Sequence, residues 1–460
     1  MKTSRLFFVV IILMYISPLR SQETIPPYYW ANTYIDYLKV RGYFPSLSVV
    51  DRPFERQEIA RQLLLLDWKK LERNGKEQQM VALLYKEFAA EIQYYGNRAE
   101  GNWSELFEKA LQYLSGGILK ESGKVRLKAG AFGEFFYDKS DQSRQDGLDL
   151  DLHTQLGFFW KDRITVYNNM RIFSRADSNY IGKEFQNLYA YTEQGYVSSE
   201  TKWIKAKFGR DFKQIGPGRS GQLLLSGNSR TFDMYDVAIG RGLLQFSFWG
   251  IQLNRRKIPG SDTLNVPPNA NRYLNGHRLS INIKNRYFFG LSEVIVYGGP
   301  YQGWELGYMN PFQIYYGYSV NRNSASGNSF LNLDWDIYFR ENMEFYGEFL
   351  IDDIQFEKKS PQDLEPNEFG FLLGFQWANV GLAGTLFNTE YIQVRNRTYN
   401  APFNDWEKYL HRNEVIGYFR GNNFWSFYLS GAYWLFPTAQ IKLFTNIVKQ
   451  GEGSVAGEFN

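Results

Sequence analysis

Four carboxylates lie close together in the segment that contains Glu344, Glu348, Asp352 and Asp353. Two carboxyl groups about 5–10 Å apart can hydrolyse a glycosidic bond, one acting as acid and the other as base or nucleophile. Alternate residues of any β-strand satisfy this spacing, so the pattern is weak evidence for catalysis. The plainer interpretation is a ladder of charges along one strand face, paired with basic residues such as Arg340. We therefore expect no enzyme activity here.

A glycine-rich segment, Gly216-Pro217-Gly218-Arg219-Ser220-Gly221, is the second candidate site. It lacks the Lys-Ser/Thr pair that a phosphate-binding loop requires, so it does not predict a nucleotide site. Two interpretations stay open. The segment is either a turn-rich surface loop, or a loop folded inward whose Arg219 binds an acidic sugar through two parallel hydrogen bonds.

Histidine and cysteine chemistry is sparse in this chain. The three histidines are His153, His277 and His411, they lie far apart in the sequence, and there is no cysteine. A zinc site would need all three histidines to converge with a carboxylate. No Gly-x-Ser-x-Gly turn marks a nucleophilic serine. We expect no metal and no cofactor, and the absence of cysteine excludes disulfides and thiolate ligands.

Aromatic residues crowd one long connection near residues 299–329. Aromatic faces can stack on the C–H patches of sugars while neighbouring amides and acids bind hydroxyl groups, so this composition suits a glycan. Packing aromatics within the loop, or an aromatic girdle, would have the same composition. The residues concerned are Tyr301, Trp304, Glu305, Tyr308, Asn310, Tyr315, Tyr316 and Tyr318.

The elements that must position these residues show a period of two. In 331–340, Leu331, Leu333, Trp335, Ile337 and Phe339 alternate with polar residues. The pattern predicts one face toward lipid and the other toward a polar lumen, since carboxylates at every second position do not fit a dry core. Near Trp249-Gly250 the apolar residues change from even-numbered to odd-numbered positions, which predicts a β-bulge there. Lys205 and Lys207 are expected to form ion pairs inside.

About sixteen such strands follow residue 124, joined by alternately short and long connections. This alternation is typical of a transmembrane β-barrel with short periplasmic turns and long surface loops. Only the final connection, at Phe436-Pro437, breaks it. The predicted strands are 124–137, 148–160, 162–174, 186–198, 201–210, 231–239, 242–254, 274–286, 287–298, 330–340, 342–352, 367–377, 380–390, 412–420, 424–435 and 438–448.

The N-terminus differs from the rest. Residues 1–21 resemble a secretory signal peptide, with Lys2 and Arg5 before an apolar run from Leu6 to Ile16. Its removal takes three positive charges, including that of Arg20, from the net +4 and leaves +1, which argues against a nucleic-acid partner. Residues 22–120 predict a periplasmic helical module that could plug a barrel formed by 121–460. The predicted helices are 31–42, 55–74, 77–92 and 104–114.

The order of several motifs resembles the Wzi-type capsule-assembly family. The similar stretches are Tyr34-Ile35-Asp36-Tyr37-Leu38, Arg41-Gly42, Arg52-Pro53, Glu55-Arg56-Gln57-Glu58-Ile59-Ala60, Gly209-Arg210-Asp211, Gly216-Pro217-Gly218, Leu223-Leu224-Leu225-Ser226, Met309-Asn310-Pro311 and Tyr346-Gly347-Glu348-Phe349-Leu350-Ile351-Asp352-Asp353. The strand pattern alone predicts sixteen to eighteen antiparallel strands, and the resemblance implies an outer-membrane barrel of about eighteen with a periplasmic helical bundle. It also implies binding of surface polysaccharide, without catalysis, to help hold or organise a capsule.

We therefore expect an outer-membrane protein whose partners are a capsule polysaccharide or exopolysaccharide and membrane lipid. A diffusion porin for sugars or other small solutes is the alternative, and an outer-membrane hydrolase or acyltransferase is a more distant one. The sequence leaves the glycan and the oligomeric state open. The candidate polysaccharide contacts are Arg219, Trp304, Glu305, Tyr308, Asn310, Glu348, Asp352 and Asp353.

Overall fold

A computed structural model describes most of the chain and all of the candidate site residues. The predicted signal peptide and the predicted helix at 104–114 lie outside the described part. Within that part, no helix is long and apolar enough to cross a membrane. The described residues are 23–66, 71, 75–96, 117–122, 125–138, 147–160, 164–175, 183–258, 261, 266–320, 327–353 and 367–459.

Helices lie where the sequence predicts the helical module, and two short ones follow much later. The helix predicted at 77–92 is divided at Phe88 into two helices. Met80, Leu84, Phe88 and Ile92 are all buried, which packs both helices into the module. The described helices are α1 (Ala31–Val40), α2 (Arg56–Leu64), α3 (Gly75–Glu87), α4 (Ala89–Gly96), α5 (Leu306–Met309) and α6 (Tyr315–Val320), with a 3-10 turn at Asp405–Glu407.

Most of the described chain is antiparallel strand. The strands are β1 (Asp51–Arg52), β2 (Gly117–Ser122), β3 (Val125–Asp138), β4 (Gly147–Trp160), β5 (Ile164–Phe173), β6 (Tyr189–Glu200), β7 (Ile204–Asp211), β8 (Gln214–Ile215), β9 (Phe232–Arg241), β10 (Leu244–Lys257), β11 (Asn269–Ile283), β12 (Tyr287–Gly299), β13 (Asn328–Arg340), β14 (Met343–Asp353), β15 (Glu368–Ala378), β16 (Thr385–Val394), β17 (Leu410–His411), β18 (Glu414–Val415), β19 (Phe424–Phe436) and β20 (Ala439–Gln450).

Two strand predictions are wrong in an instructive way. The predicted strand 412–420 is part of a long connection that holds only the two-residue strands β17 and β18, and β2 precedes the first predicted strand. With 412–420 inside a connection, short and long connections alternate without exception up to the final hairpin at Pro437-Thr438. The irregularity at Phe436-Pro437 therefore came from an extra strand in the prediction.

The chain divides into two compact units. The described part of the first unit contains β2 to β7 and most of β9, each paired antiparallel with the next. One face carries buried polar groups: Arg171 binds Asp151, His153 lies between Asp151 and Glu193, and Lys207 pairs with Asp211. The other face exposes apolar side chains such as those of Leu156, Phe158, Trp160, Met170 and Phe208.

The second unit contains the helices, Phe212–Arg230 and the strands from β10 onward. In β13, Leu331, Leu333 and Phe339 are 41–48% exposed, whereas Asp334 and Asp336 are fully buried. The predicted alternation is thus confirmed in this strand. We call the face with Asp334 the inner face of this sheet and the face with Leu333 its outer face.

The helical module contacts the short turns at one end of the second unit's sheet. The Tyr37 hydroxyl donates to Asn379 Oδ1 at 2.8 Å, Lys76 Nζ donates to the Trp434 carbonyl at 2.7 Å, and Arg41 donates to Asn342. The long connections of this unit therefore lie at the end away from these helix contacts.

The bulge predicted at Trp249-Gly250 is also misplaced. Trp249 and Gly250 pair in regular register with β11, and the register shifts only between Leu253 and Arg256. Apolar parity changes because Trp249 and its alternate neighbours face inward, where protein covers them. Lys213 lies 4.5 Å from the Trp249 ring centroid.

Candidate functional site

The glycine-rich segment lies in a loop, Phe212–Arg230, that is folded onto the inner face; we call it the inner loop. Glu348 of β14 holds it by accepting hydrogen bonds from Gly218 N at 3.2 Å and Leu223 N at 2.8 Å. Glu390 of β16 does the same for Arg219 N at 2.5 Å and Ser220 N at 2.9 Å. The inward folding of this loop agrees with one of the two interpretations of its sequence.

Two glycines allow this close approach of backbone to carboxylate. Gly216 has a φ of +135°, and a Cβ there would lie 2.5 Å from Glu348 Oε1. A Cβ on Gly218 would lie 2.0 Å from the Gly221 carbonyl oxygen. A side chain at Gly216 would push the loop away from β14, and one at Gly218 would clash within the loop itself, so both positions require glycine.

Arg219 belongs to a buried cluster of charges that joins three parts of the second unit. Its guanidinium binds Glu344, lies 4.0 Å from Asp36 of α1, and sits over the Tyr346 ring. Burial lowers the pKa of Arg219, but Glu344 and Asp36 more than offset this, so its pKa stays raised. Arg219 is therefore an internal cation that ties the inner loop to α1 and β14.

Lys39 of α1 lies beside this cluster. Its ammonium group donates to the Pro45 carbonyl at 2.7 Å and lies 4.5 Å from the Phe288 ring centroid and 4.4 Å from that of Tyr338. Burial lowers its pKa to about 7. The helix thus carries a cation onto the inner face, where the strands supply aromatic rings.

The long connection between β16 and β19, residues 395–423, packs over the inner loop. The hydroxyls of Tyr399 and Tyr409 donate to the carbonyls of Leu223 and Leu224 at 2.6 and 2.8 Å. Asp352 accepts a hydrogen bond from Tyr399 N at 2.7 Å. Protein therefore covers the inner face from α1 through the inner loop to this connection.

Arg272 fixes the other part of this connection. It donates to the carbonyls of Trp406, Lys408 and Leu410 at 2.5–2.9 Å. His411 Nδ1 accepts from Asn254 N at 3.3 Å. The segment 402–413 is therefore held against the ends of β10 and β11.

Aromatic and basic side chains of this segment are exposed or half-buried. Phe403 is 88% exposed, and Arg412 N donates to Asn254 Oδ1 at 2.7 Å, which brings it next to the basic run that ends β10. We call this group of exposed and half-buried residues the rim patch. It consists of Arg256, which shares the face of Arg272 in the register of β10 and β11, and of Phe403, Trp406, Arg412 and Asn413 of the segment itself.

The aromatic connection predicted to bind glycan has a different place. Residues 300–318, which we call the flap, pack onto the outer face of β11 and β12. Trp304 packs against Tyr273 with ring centroids 4.6 Å and planes 44° apart, and Tyr308 is buried against Tyr297. Tyr318 donates to Glu305 Oε1 at 3.0 Å.

The structure thus separates the eight candidate residues into three groups. Arg219, Glu348 and Asp352 make internal bonds; Trp304, Glu305, Tyr308 and Asn310 belong to the flap; and Asp353 is exposed at the end of β14. Whether any of them touches polysaccharide stays a prediction. The rim patch was missed, although the run Asn254-Arg255-Arg256-Lys257 was a visible signal of basic charge.

Comparison with known proteins identifies the family. The family model "Capsule assembly protein Wzi" matches residues 119–458, which is well over half of the chain. A search of curated proteins gave no match.

One solved structure has a similar fold. The chain is similar to Wzi of Escherichia coli, described as an outer-membrane protein of group 1 capsule assembly and a carbohydrate-binding β-barrel. The identity is 15%, the TM-score is 0.55, and 93% of this chain and 85% of that one are covered.

Porin similarities are weaker. OccD3 of Pseudomonas aeruginosa has 10% identity and a TM-score of 0.35 over 75% of this chain and 90% of that one. A triple mutant of the Rhodopseudomonas blastica porin has 8% identity and a TM-score of 0.36 over 72% of this chain and 96% of that one. Neither carries an argument about this chain. The chain belongs to the Wzi capsule-assembly family, with the fold of an all-β transmembrane barrel preceded by a small helical module.

Proposed function

We propose that this protein binds surface polysaccharide in the outer membrane and helps to attach or assemble a capsule. The observation that carries the proposal is the packing of the inner face. Helix α1, the inner loop and the 395–423 connection cover the sheet of the second unit, and the rim patch lies at the surface beside them. A covered interior with an aromatic and basic rim suits a platform for a polymer better than a passage for solutes.

The chemistry of the rim patch supports an acidic polysaccharide as the ligand. Phe403 and Trp406 supply aromatic faces, and Arg412 and Arg256 supply planar guanidinium groups that bind carboxylates with two hydrogen bonds. Each contact alone is weak. A repeating polymer meets many copies of the protein, so that the contacts add up to high avidity.

This proposal places the helices in the periplasm and the long connections at the cell surface. It keeps the predicted division into signal peptide (1–21), helical module (22–120) and barrel (121–460). Supporting evidence is the contact of α1 and α3 with the short turns, since short turns face the periplasm in outer-membrane barrels.

The internal bonds of the strand carboxylates favour a structural role over glycoside hydrolysis. Glu348 accepts two backbone hydrogen bonds and Asp352 accepts one. A general acid or nucleophile must instead reach the substrate. Among the candidate contacts, the buried residues Arg219, Glu348 and Asp352 would act by holding the loops, and the rim patch would touch the polymer.

Retention of polysaccharide by cells tests the proposal. Cells that lack this protein would be complemented with the wild-type chain, with Phe403→Ala/Arg412→Ala, or with Trp304→Ala/Glu305→Ala. We expect the rim variant to release more polysaccharide into the medium at equal protein level, and the flap variant to resemble wild type. Equal retention with and without the protein would contradict the proposed function.

A further inference from the structure

The flap lies on the face of the sheet that faces away from the inner loop. Directly paired residues of antiparallel strands share one face, and β12 pairs Glu293 with the exposed Leu331 of β13. Glu293 also pairs with His277, and Tyr297 pairs with Tyr273. These four residues are therefore on the outer face, and the flap that covers them lies outside the sheet.

The flap covers polar groups that would otherwise face hydrocarbon. The Glu293 carboxylate accepts hydrogen bonds from Tyr315 N and Tyr316 N, both at 3.0 Å, and contacts His277 Nε2 at 3.2 Å. The Tyr297 hydroxyl donates to Asn275 Oδ1 at 2.9 Å. An uncovered carboxylate on a lipid-facing strand is costly, and the start of α6 satisfies this one.

The opposite side of the flap is apolar and exposed. Five large side chains are at least 67% exposed. The only Asp, Glu, Lys, Arg or His in 300–318 is Glu305, which accepts a hydrogen bond from the Tyr318 hydroxyl. Such a surface is unfavourable in water. The five residues are Tyr301, Leu306, Phe312, Ile314 and Tyr316.

This apolar side continues into the lipid-facing surface of the strands. Phe312 stacks on Phe246 of β10, with centroids 5.5 Å apart and planes 4° apart. Nearby on the outer face, Leu279, Leu291 and Leu333 are 39–48% exposed. In a transmembrane barrel this face is covered by lipid, flanked by aromatic residues at the interfaces.

We propose that the flap is a membrane anchor, whose Leu306, Phe312 and Ile314 insert into the bilayer at the long-connection end of the strands. Lipid is favoured over a second copy of the chain because the exposed residues extend a surface that lipid already covers. The flap then fixes the height of the barrel in the membrane. It also seals the Glu293–His277 pair from hydrocarbon, as an interfacial amphipathic segment does.

Site-directed spin labelling tests this anchor, because the chain has no cysteine and each introduced one is unique. Nitroxide labels would be placed by Leu306→Cys, Phe312→Cys or Ile314→Cys in the mature protein, reconstituted in phospholipid vesicles. Leu333→Cys is the lipid-facing control, and Phe403→Cys is the water-facing control. Accessibility to oxygen and to a water-soluble nickel chelate gives the depth of each label.

We expect the flap labels to be shielded from nickel, as at Leu333, at a depth of about 5–10 Å below the headgroup boundary. Nickel accessibility at all three sites equal to that at Phe403 would overturn the anchor. Strong dipolar broadening between labels on different copies, relieved by dilution with unlabelled protein, would also overturn it, since a second copy would then occupy the patch. Circular dichroism identifies any variant that misfolds, and the remaining flap sites decide the test.

Discussion

Glu348 holds the inner loop in place. From the sequence it was a candidate for catalysis, for ion pairing along the strand or for contact with polysaccharide. It is fully buried, and both of its oxygens accept backbone hydrogen bonds from the loop. Asp353, five residues on, is exposed at the end of the same strand. Both carboxylates were candidate polysaccharide contacts in the sequence, because the sequence does not reveal which carboxylates meet a folded loop.

Replacing Glu348 with Ala should release the inner loop. Two buried N–H groups would lose their acceptor, at a cost of about 1–3 kcal/mol each. We expect limited trypsin digestion to cut after Lys213 or Arg219 in Glu348→Ala but not in wild type. Asp353→Ala is the matched control and should resist cleavage. Equal resistance of both variants would show that Glu348 does not hold the loop.

Glu407 should make the stability of the 395–423 connection depend on pH. It is 5% exposed, it accepts a hydrogen bond from Asn404 at 2.9 Å, and burial raises its pKa from 4.5 to about 7. Because the pKa of Glu407 is higher in the folded state than in the unfolded chain, the folded state is stabilised by keeping Glu407 protonated. This stabilisation is fully present below about pH 4.5 and is lost as pH rises through about 7. The free energy of unfolding lost over this pH range is on the order of 3 kcal/mol.

We therefore expect Glu407→Gln to gain thermal stability relative to wild type between about pH 5 and pH 8. Differential scanning fluorimetry in detergent measures this difference. Glu414→Gln, in the same connection, is the control and should change less. A constant difference between Glu407→Gln and wild type at all pH values would contradict the raised pKa.

The packing of the inner face depends on the inner loop. Substituting a glycine of this loop tests whether the loop is packed as described. Gly218→Ala would place a methyl group against the Gly221 carbonyl and the Leu372 side chain. Overpacking of this kind costs about 1–3 kcal/mol. We expect a lower Tm for Gly218→Ala and no change for Gly303→Ala, whose Cβ would meet nothing within 4 Å. An unchanged Tm for Gly218→Ala would mean that the loop is not packed as described.

Most strands were predictable from the sequence because apolar and polar residues alternate in a strand that has one apolar and one polar face. The failures occur where protein covers the inner face. Val415, Ile416 and Tyr418 are apolar because they are buried in a loop, so the strand predicted at 412–420 was wrong. The same cover explains the parity change at Trp249.

The side of the sheet on which a connection folds was not predictable either. The flap and the inner loop are both long connections rich in turn residues, yet they lie on opposite faces. The pairing of β12 with β13 places Glu293 on the outer face. Its carboxylate there accepts the hydrogen bonds of Tyr315 N and Tyr316 N, which holds the flap on that face. The sequence of the flap does not show how β12 pairs with its neighbours. The aromatic residues of the flap therefore suggested a glycan site.

At the scale of the whole molecule, the packed inner face predicts little conductance. The mature protein in a planar bilayer should show no steady open level of the size of a sixteen-stranded diffusion porin. Glu348→Ala, which frees the inner loop, should increase transient openings, and Asp353→Ala should not. A large steady conductance of the wild-type protein would favour the porin alternative.

Binding of purified polysaccharide tests the central claim most directly. The mature protein would be passed over polysaccharide from its own cells, immobilised on a sensor surface. We predict saturable binding that Phe403→Ala/Arg412→Ala weakens by about tenfold or more, equivalent to about 1.4 kcal/mol. Trp304→Ala/Glu305→Ala should bind as wild type does. Absence of binding by the folded wild-type protein would contradict the account, and loss of binding only in the flap variant would move the site from the rim to the flap.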